Sequence, residues 1–164
     1  MNSQQKTNLN LDLDSWNTFL SNITKPYTYN ESCAWLFCKK PFCEDNIVFI
    51  FPVKNIGLND RSLQESFSPD KSQFAKVKRI AKANHLTRIG NVHTHILAPQ
   101  NLVNLHPDFL EDSKHPSKTD LFYARKFNDI IRGVVTVVFD NEGDAGKVVS
   151  IVWHDQFGNI LEVE

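Results

Sequence analysis

The apolar residues near the start of the chain recur three or four positions apart, which is the spacing of one face of an α-helix. This pattern predicts a first helix over about 11–23, with Asp12 or Asp14 available as its N-cap. Pro26 is expected to end this helix, because proline lacks the backbone N–H that the next turn would need. Residues 1–9 are polar and are expected to fray.

Two further helices follow from the same periodicity. The second is predicted to open at 68–70, a Ser-Pro-Asp sequence, and to run to about Asn84. The third is predicted to begin at Ser117, because serine is a favoured N-cap residue. The apolar positions of the two helices are Phe74, Val77, Ile80 and Ala81, and Leu121, Phe122, Ala124 and Phe127.

Short runs rich in β-branched and aromatic residues separate the helices, and each run is predicted to be a strand. These runs lie at 33–37, 46–53, 88–95, 134–139, 148–153 and 160–163. A polar loop is expected over 54–71 and a long connection over 96–116. The element order α-β-β-α-β-α-β-β-β predicts an α/β fold, a mixed β-sheet flanked by helices, in a single domain over 1–164.

Length and charge exclude several classes of function. With 164 residues, the chain can bury one substantial core but is too short for two domains of ordinary size. Its 18 basic and 19 acidic residues give a formal net charge of −1, so no general attraction to nucleic acid or membrane is expected. No apolar run reaches the ~20 residues that a membrane span needs, and the polar start does not resemble a signal peptide.

Cysteine usage indicates a reducing compartment. The chain has three cysteines, Cys33, Cys38 and Cys43, which are spaced five residues apart. This odd number and this spacing fit neither a paired disulfide framework nor a Cys-x-x-Cys metal site. The expected location is therefore the cytoplasm.

One pair of histidines is closely spaced, in the sequence His93-Thr94-His95. In a strand, residues two positions apart point to the same face, so these two imidazoles could converge on one metal ion. The same spacing also fits two half-exposed strand histidines that share no ligand. The pair alone therefore leaves both interpretations open.

A carboxylate at the start of the third helix could complete such a site. Asp120 follows the predicted N-cap Ser117 by three residues, where the helix dipole favours a negative charge. Two imidazoles, one carboxylate and a water form the coordination of a hydrolytic zinc site. The alternative is that Ser117 and Asp120 only form a capping box.

The candidate site residues follow one another along the chain as Glu31, His93, His95, Ser117 and Asp120. This ordered set resembles the JAMM signature of the MPN/JAB-domain zinc metallopeptidases, whose fold is cytidine-deaminase-like. The hydrophobic strand after the glutamate, the strand that carries the histidines and the closing strand pair are similar to the family as well. The resemblance covers about 28–155.

The resemblance implies a role for each of these residues. His93, His95 and Asp120 would bind one Zn²⁺ per chain, with a water as the fourth ligand. Glu31 would hydrogen-bond that water, accept its proton and deliver it to the leaving amine. Ser117 would hydrogen-bond the developing oxyanion.

Two departures from the family pattern concern the segment between the ligands. The second histidine is followed by Ile96 where the family usually has proline, and Ser117 stands 22 positions after His95, farther than is usual. The segment 96–116 is therefore an insertion next to the active site. It carries several apolar residues, so part of it is expected to pack, either as a lid or partner-recognition element or as a neutral embellishment.

The function that the resemblance implies is that of a zinc-dependent isopeptidase or peptidase. It would hydrolyse the amide bond after the C-terminal tail of a ubiquitin-like protein, in deconjugation or in precursor processing. Substrate contacts are expected within the loops 54–71 and 96–116.

Compact bacterial relatives also suggest partners. Some of them stand beside E1- and E2-like proteins in antiphage conjugation operons, including the CBASS type. Such proteins, together with the ubiquitin-like protein or its conjugate, are the expected partners here.

Two other functions remain open at this point. A small-substrate JAB hydrolase would act on sulfur-carrier precursors or on a cysteine adduct. A non-catalytic MPN scaffold would bind partners, although scaffold members lack the metal ligands that this chain retains.

Overall fold

The structure, a computed structural model, describes residues 6–7, 9–39, 47–53, 71–102 and 107–163. The helices in these segments are α1 (Leu13–Ile23), α2 (Lys71–Ala83), α3 (Pro99–Leu102), α4 (Pro107–Ser113) and α5 (Lys118–Lys126). The strands are β1 (Lys6–Thr7), β2 (Asn10–Leu11), β3 (Cys33–Lys39), β4 (Ile47–Val53), β5 (Leu86–Leu97), β6 (Ile131–Val138), β7 (Lys147–His154) and β8 (Ile160–Val163).

Helix α1 forms where the apolar periodicity predicted it. Asp12 is the N-cap, and its side chain accepts a hydrogen bond from the backbone N–H of Ser15 at 3.0 Å. Trp16, Phe19 and Ile23 recur at helical spacing and are buried against the sheet. The helix therefore presents one apolar face to the core, as an amphipathic helix does.

The strands form one mixed sheet in the order β1-β8-β7-β6-β5-β3-β4-β2. The central strands β5 and β6 are parallel, whereas β3 is antiparallel to both of its neighbours and β6 is antiparallel to β7. The predicted mixed α/β fold, with a sheet flanked by helices, is therefore confirmed. A separate observation is that no helix of the described residues has the length and apolar character that crossing a membrane requires.

Two core clusters lie on opposite faces of the sheet. Helix α1 packs into the larger cluster, whose strand residues include Leu36, Val92 and Val135. Helix α2 packs into the smaller cluster, with Cys33 and Trp35 from β3. Because side chains alternate between faces along a strand, the residues of β3 and β5 are sorted between the two clusters.

The sheet curls because its two edges are joined by neighbouring residues of the chain. β1 pairs with β8 at one edge, and β2 pairs with β4 at the other. Only two residues separate β1 from β2, so Thr7 and Asn10 lie at most about 11 Å apart. The prediction that residues 1–9 fray is wrong for Lys6–Thr7, because their backbone pairs with β8.

Several boundaries differ from those predicted. β5 extends beyond the predicted 88–95, because its ends pair with β3 and with β6. The predicted connection 96–116 contains the helices α3 and α4. Its apolar residues had predicted that part of it packs, but not that it is helical. Lys71 begins α2, whereas the rest of the predicted loop 54–71 and the predicted helix opening at 68–70 lie outside the described residues.

Candidate metal centre

The two closely spaced histidines lie on the central strand β5. His93 is buried and His95 is half-buried, and the Nε2 atoms of the two rings are 3.2 Å apart. The β5 register pairs His93 with Cys33 of β3, so the imidazoles point to the face that α2 covers. The expectation that His93 and His95 share one face of a strand is therefore confirmed.

Asp120 reaches the same point from the first turn of α5. Its carboxylate Oδ1 lies 3.2 Å from Nε2 of His93, and its Oδ2 lies 3.5 Å from Nε2 of His95. The first turn also forms a capping box: the Ser117 backbone N–H donates to Oδ2 at 2.7 Å, and the Asp120 backbone N–H donates to Ser117 Oγ at 3.1 Å. The two interpretations of this sequence are thus compatible, because one carboxylate serves both the cap and the histidine pair.

The spacing of these atoms fits a metal ion. Zinc bonds of about 2.0–2.1 Å with tetrahedral angles place neighbouring ligand atoms about 3.3–3.4 Å apart. The two imidazole Nε2 atoms are 3.2 Å apart, close to that value. The Asp120 carboxylate approaches each imidazole through a different oxygen, Oδ1 at 3.2 Å from His93 and Oδ2 at 3.5 Å from His95. His93, His95 and Asp120 also offer one ligand atom each within 4.8 Å of one another, so the group could hold a metal ion.

The electrostatics of the group also suit a cation. Burial alone would raise the pKa of Asp120, but hydrogen bonds from both imidazoles outweigh it and hold that pKa well below its usual range. Asp120 therefore carries its negative charge at neutral pH. Burial lowers the pKa of His93, against the opposing hydrogen bond to Asp120, which favours the neutral imidazole that a metal ion requires.

His95 has a second partner on the insertion. Its Nδ1 lies 2.5 Å from the backbone carbonyl oxygen of Ser113, the last residue of α4. The same carbonyl accepts a hydrogen bond from the Thr136 hydroxyl of β6 at 3.0 Å. Neither Ser113 nor Thr136 was predicted as a site residue, although Thr136 interrupts the buried valines of β6 with a hydroxyl group.

A buried network of charged and polar side chains contacts the backbone of Asp120. Arg132 donates from a terminal guanidinium nitrogen to the backbone carbonyl of Asp120 and from Nε to Oδ1 of Asn91, the latter at 2.7 Å. Arg132 also pairs with the fully buried carboxylate of Asp129 at 3.3 Å, and Asp129 pairs with Arg88 as well. The network therefore ties the first turn of α5 to the central strands. It was not predicted from the sequence, because Arg88 and Asn91 each lie 41 positions from their partners Asp129 and Arg132.

Glu31 lies beside the histidine pair, just before β3. The backbone N–H of Ser32 donates to Thr94 Oγ1 at 2.8 Å, and the backbone N–H of Thr94 donates to the Ser32 carbonyl at 2.9 Å. Continuing the register of β3 and β5 by two residues sets Glu31 opposite His95. The Glu31 charge is also one of the smaller influences that raise the pKa of His95.

Ser117 stands one turn from the cluster on an exposed position. Its Oγ accepts the Asp120 N–H as part of the capping box, and a hydroxyl that accepts still carries a proton that it can donate. The structure therefore brings Glu31, His93, His95 and Asp120 together and sets Ser117 at their rim.

Comparisons with known proteins add no identification. No family model matches the sequence, and none of the curated proteins matches it significantly. What the chain can do is therefore argued from the chemistry of its own residues.

Proposed function

We propose that this protein is a zinc-dependent hydrolase of peptide or isopeptide bonds, with His93, His95 and Asp120 as the metal ligands. The observation that carries the proposal is the convergence of two imidazole Nε2 atoms, 3.2 Å apart, with the Asp120 carboxylate, so that the three residues each offer a ligand atom within 4.8 Å of the others. A zinc ion bound by three protein ligands supplies Lewis acidity and lowers the pKa of a bound water to about 7.

Glu31 is the proposed proton carrier. It is half-buried opposite His95 and is not one of the three ligands, so its role would be to take a proton during attack on the amide and not to bind the metal ion. The same carboxyl then delivers that proton to the leaving amine, which restores the starting protonation state of Glu31. Ser117 donates its hydroxyl proton to the oxygen on which negative charge develops.

The proposed substrate is the amide bond that follows the C-terminal tail of a ubiquitin-like protein, in a precursor or in a conjugate. The order of Glu31, the histidine pair and the Ser-x-x-Asp sequence supports this class, because it resembles that of the JAMM metallopeptidases. A ubiquitin-like protein and the E1- and E2-like proteins of an antiphage operon are the partners that this proposal includes.

The test of the proposal is cleavage of ubiquitin-like fusion proteins with and without a chelator. Glu31→Gln keeps the size of the side chain and removes the base, so turnover is expected to fall by about 10²–10⁴-fold while zinc is retained. Glu142→Gln, in the exposed turn before β7, is the matched control and should leave turnover unchanged. Normal turnover by the Glu31 variant would show that this residue does not carry the proton.

Metal analysis separates the hydrolase from a partner-binding scaffold. The purified protein is expected to hold about one zinc per chain, since a catalytic site uses three protein ligands for one ion. A stable protein that takes up no zinc would favour the scaffold. Zinc binding without cleavage of any fusion would support the metal centre and contradict the proposed substrate class.

A further inference from the structure

The backbone carbonyl of Ser113 lies between the insertion and the metal centre. Its oxygen accepts two hydrogen bonds, one from His95 Nδ1 at 2.5 Å and one from Thr136 Oγ1 at 3.0 Å. A carbonyl oxygen has two lone pairs, so both donors can be satisfied at once. The Ser113 side chain is occupied elsewhere, because its hydroxyl donates to the Leu110 carbonyl at 2.7 Å.

This contact determines which nitrogen of His95 can bind a metal ion. A carbonyl oxygen only accepts hydrogen bonds, so Nδ1 of His95 must carry a proton. In the neutral imidazole, the lone pair then belongs to Nε2, the atom that faces His93 and Asp120. His93 differs in this respect, since its buried Nδ1 has no hydrogen-bond partner among the described residues.

Thr136 is the residue that holds this carbonyl in place. As the last residue of α4, Ser113 has a carbonyl oxygen without a partner in its own helix. Thr136 is fully buried and is the register partner of His95 across the parallel strands β5 and β6. Its hydroxyl therefore fixes the end of α4 at the one point where the carbonyl meets His95.

We propose that Thr136 is a positioning residue of the metal centre, which acts through the Ser113 carbonyl to hold His95 in the tautomer that exposes Nε2. Helix α4, in the insertion 96–116, is on this account a structural part of the centre. The proposal rests on the proposed metal binding for its effect on affinity, but its effect on the tautomer exists without metal.

The experiment compares three variants with the natural chain. Thr136→Val removes the hydroxyl at nearly constant volume, and Thr136→Ser restores a hydroxyl. Thr24→Val is the matched control, because Thr24 Oγ1 also donates to a helix carbonyl, that of Leu20 at 2.8 Å. The control lies at the end of α1, on the opposite face of the sheet.

Two measurements are made on each variant. Long-range ¹H–¹⁵N spectra of the metal-free protein at about pH 9, where imidazoles are largely neutral, report the tautomer of His95. Competition with a chelator reports the dissociation constant for zinc. Thr136→Val is expected to populate the second tautomer and to weaken zinc binding about 10–100-fold, the usual effect of losing a partner behind a ligand. Thr136→Ser and Thr24→Val are expected to behave like the natural chain.

The proposal is overturned if Thr136→Val keeps both the His95 tautomer and the zinc affinity. It is also overturned if Thr24→Val weakens zinc binding equally, because the effect would then be general. Failure of the proposed function is a different result. A natural chain that binds no zinc rejects the metal centre, while its spectra still report whether Thr136 selects the tautomer.

Discussion

His93 and His95 lie two residues apart on β5, yet their surroundings shift their protonation in opposite directions. Burial is the largest single influence on each imidazole, and acting alone it would lower the pKa of both. For His95, hydrogen bonds to Asp120 and to the Ser113 carbonyl outweigh burial, so its pKa lies above the ordinary value. Two features account for the difference: His93 is the more deeply buried of the two, and its Nδ1 has no hydrogen-bond partner among the described residues.

His154 gives a pH dependence of stability that its own burial dominates, with smaller influences from the charges of Arg132, His93 and Asp120. Its side chain is fully buried at the end of β7, and its Nε2 has no hydrogen-bond partner within the described residues. Burial lowers the pKa of His154, although the hydrogen bond to the Asp155 carbonyl opposes the shift. The unfolded chain, with a histidine pKa of about 6.5, therefore binds this proton more readily than the folded chain.

We expect the free energy of unfolding to fall as the pH drops below about 6.5, because protonation of His154 then favours the unfolded chain. The contribution of one such histidine approaches about 1.4 kcal/mol per pH unit between the two pKa values. His154→Asn keeps a donor for the Asp155 carbonyl and should give a shallower dependence in urea titrations between pH 7 and 5. His85→Asn controls for the loss of one histidine, and equal slopes for His154→Asn and the natural chain would contradict the prediction.

At the scale of elements, the start of α5 combines a helix cap with a proposed metal ligand. The capping box fixes the Asp120 carboxylate through the Ser117 backbone, and Arg132 fixes the backbone of Asp120 from the sheet. A helix terminus that is held at two points can present a side chain with little conformational freedom. Such rigidity suits a carboxylate that must lie against histidines of another element.

Substitution of Ser117 separates its two proposed roles. Ser117→Ala should lower the free energy of unfolding by about 1 kcal/mol, whereas Ser117→Gly should lower it by only a few tenths, because glycine is tolerated at an N-cap. Both variants lack the hydroxyl, so both should lose turnover by about 10²–10³-fold. Urea denaturation and fusion cleavage measure the two effects, and near-normal turnover by Ser117→Gly would limit Ser117 to the cap.

The contact between β5 and β6 depends on Gly90. A Cβ added there would lie 1.6 Å from the backbone carbonyl oxygen of Ile131, a distance that only a shift of the strands could relieve. Gly90 is the register partner of Ile131 across the two strands, so the missing side chain permits their close approach. We expect Gly90→Ala to destabilise the fold by about 1–3 kcal/mol or more in chemical denaturation. A variant with the same free energy of unfolding as the natural chain would contradict this prediction.

At the scale of the whole molecule, the candidate metal centre lies where one strand and two helices meet. β5 supplies the histidines from the middle of the sheet, α5 supplies the carboxylate, and α4 supplies the carbonyl that holds His95. An ion bound there connects elements that are distant in sequence. Metal binding is therefore expected to stabilise the folded molecule as a whole.

Zinc should raise the melting temperature, because the three ligand atoms come together only in the folded chain. At a free zinc concentration 100-fold above Kd, the stabilisation is about 2.7 kcal/mol, or roughly 5–11 °C for a chain of this size. Differential scanning calorimetry with zinc and with a chelator measures the shift. Asp120→Asn should abolish it, whereas Asp144→Asn, in an exposed turn, should not. An equal shift in the Asp120 variant would mean that zinc binds elsewhere.

Local patterns were sufficient to predict most helices and strands and part of the site. The helical periodicity of Trp16, Phe19 and Ile23 and the cap at Asp12 depend on neighbouring residues alone, so α1 was predictable. The same holds for His93 and His95, because strand geometry puts them on one face. Sequence order alone could not predict the backbone pairing of Lys6–Thr7, since its partner β8 is at the other end of the chain.

The sequence by itself determined the kinds of ligand available and their local presentation, because a strand pleat and a helix cap are set within a few residues. Only the tertiary structure decided that Asp120 meets the histidines, that Glu31 stands opposite His95, and that Thr136 and Arg132 support the site. The physical reason is that these contacts join residues far apart in the chain, from the 12 positions between Asp120 and Arg132 to the 64 between Glu31 and His95. Such contacts form when the packing of strands and helices closes long loops of chain, and short-range sequence patterns do not contain that information.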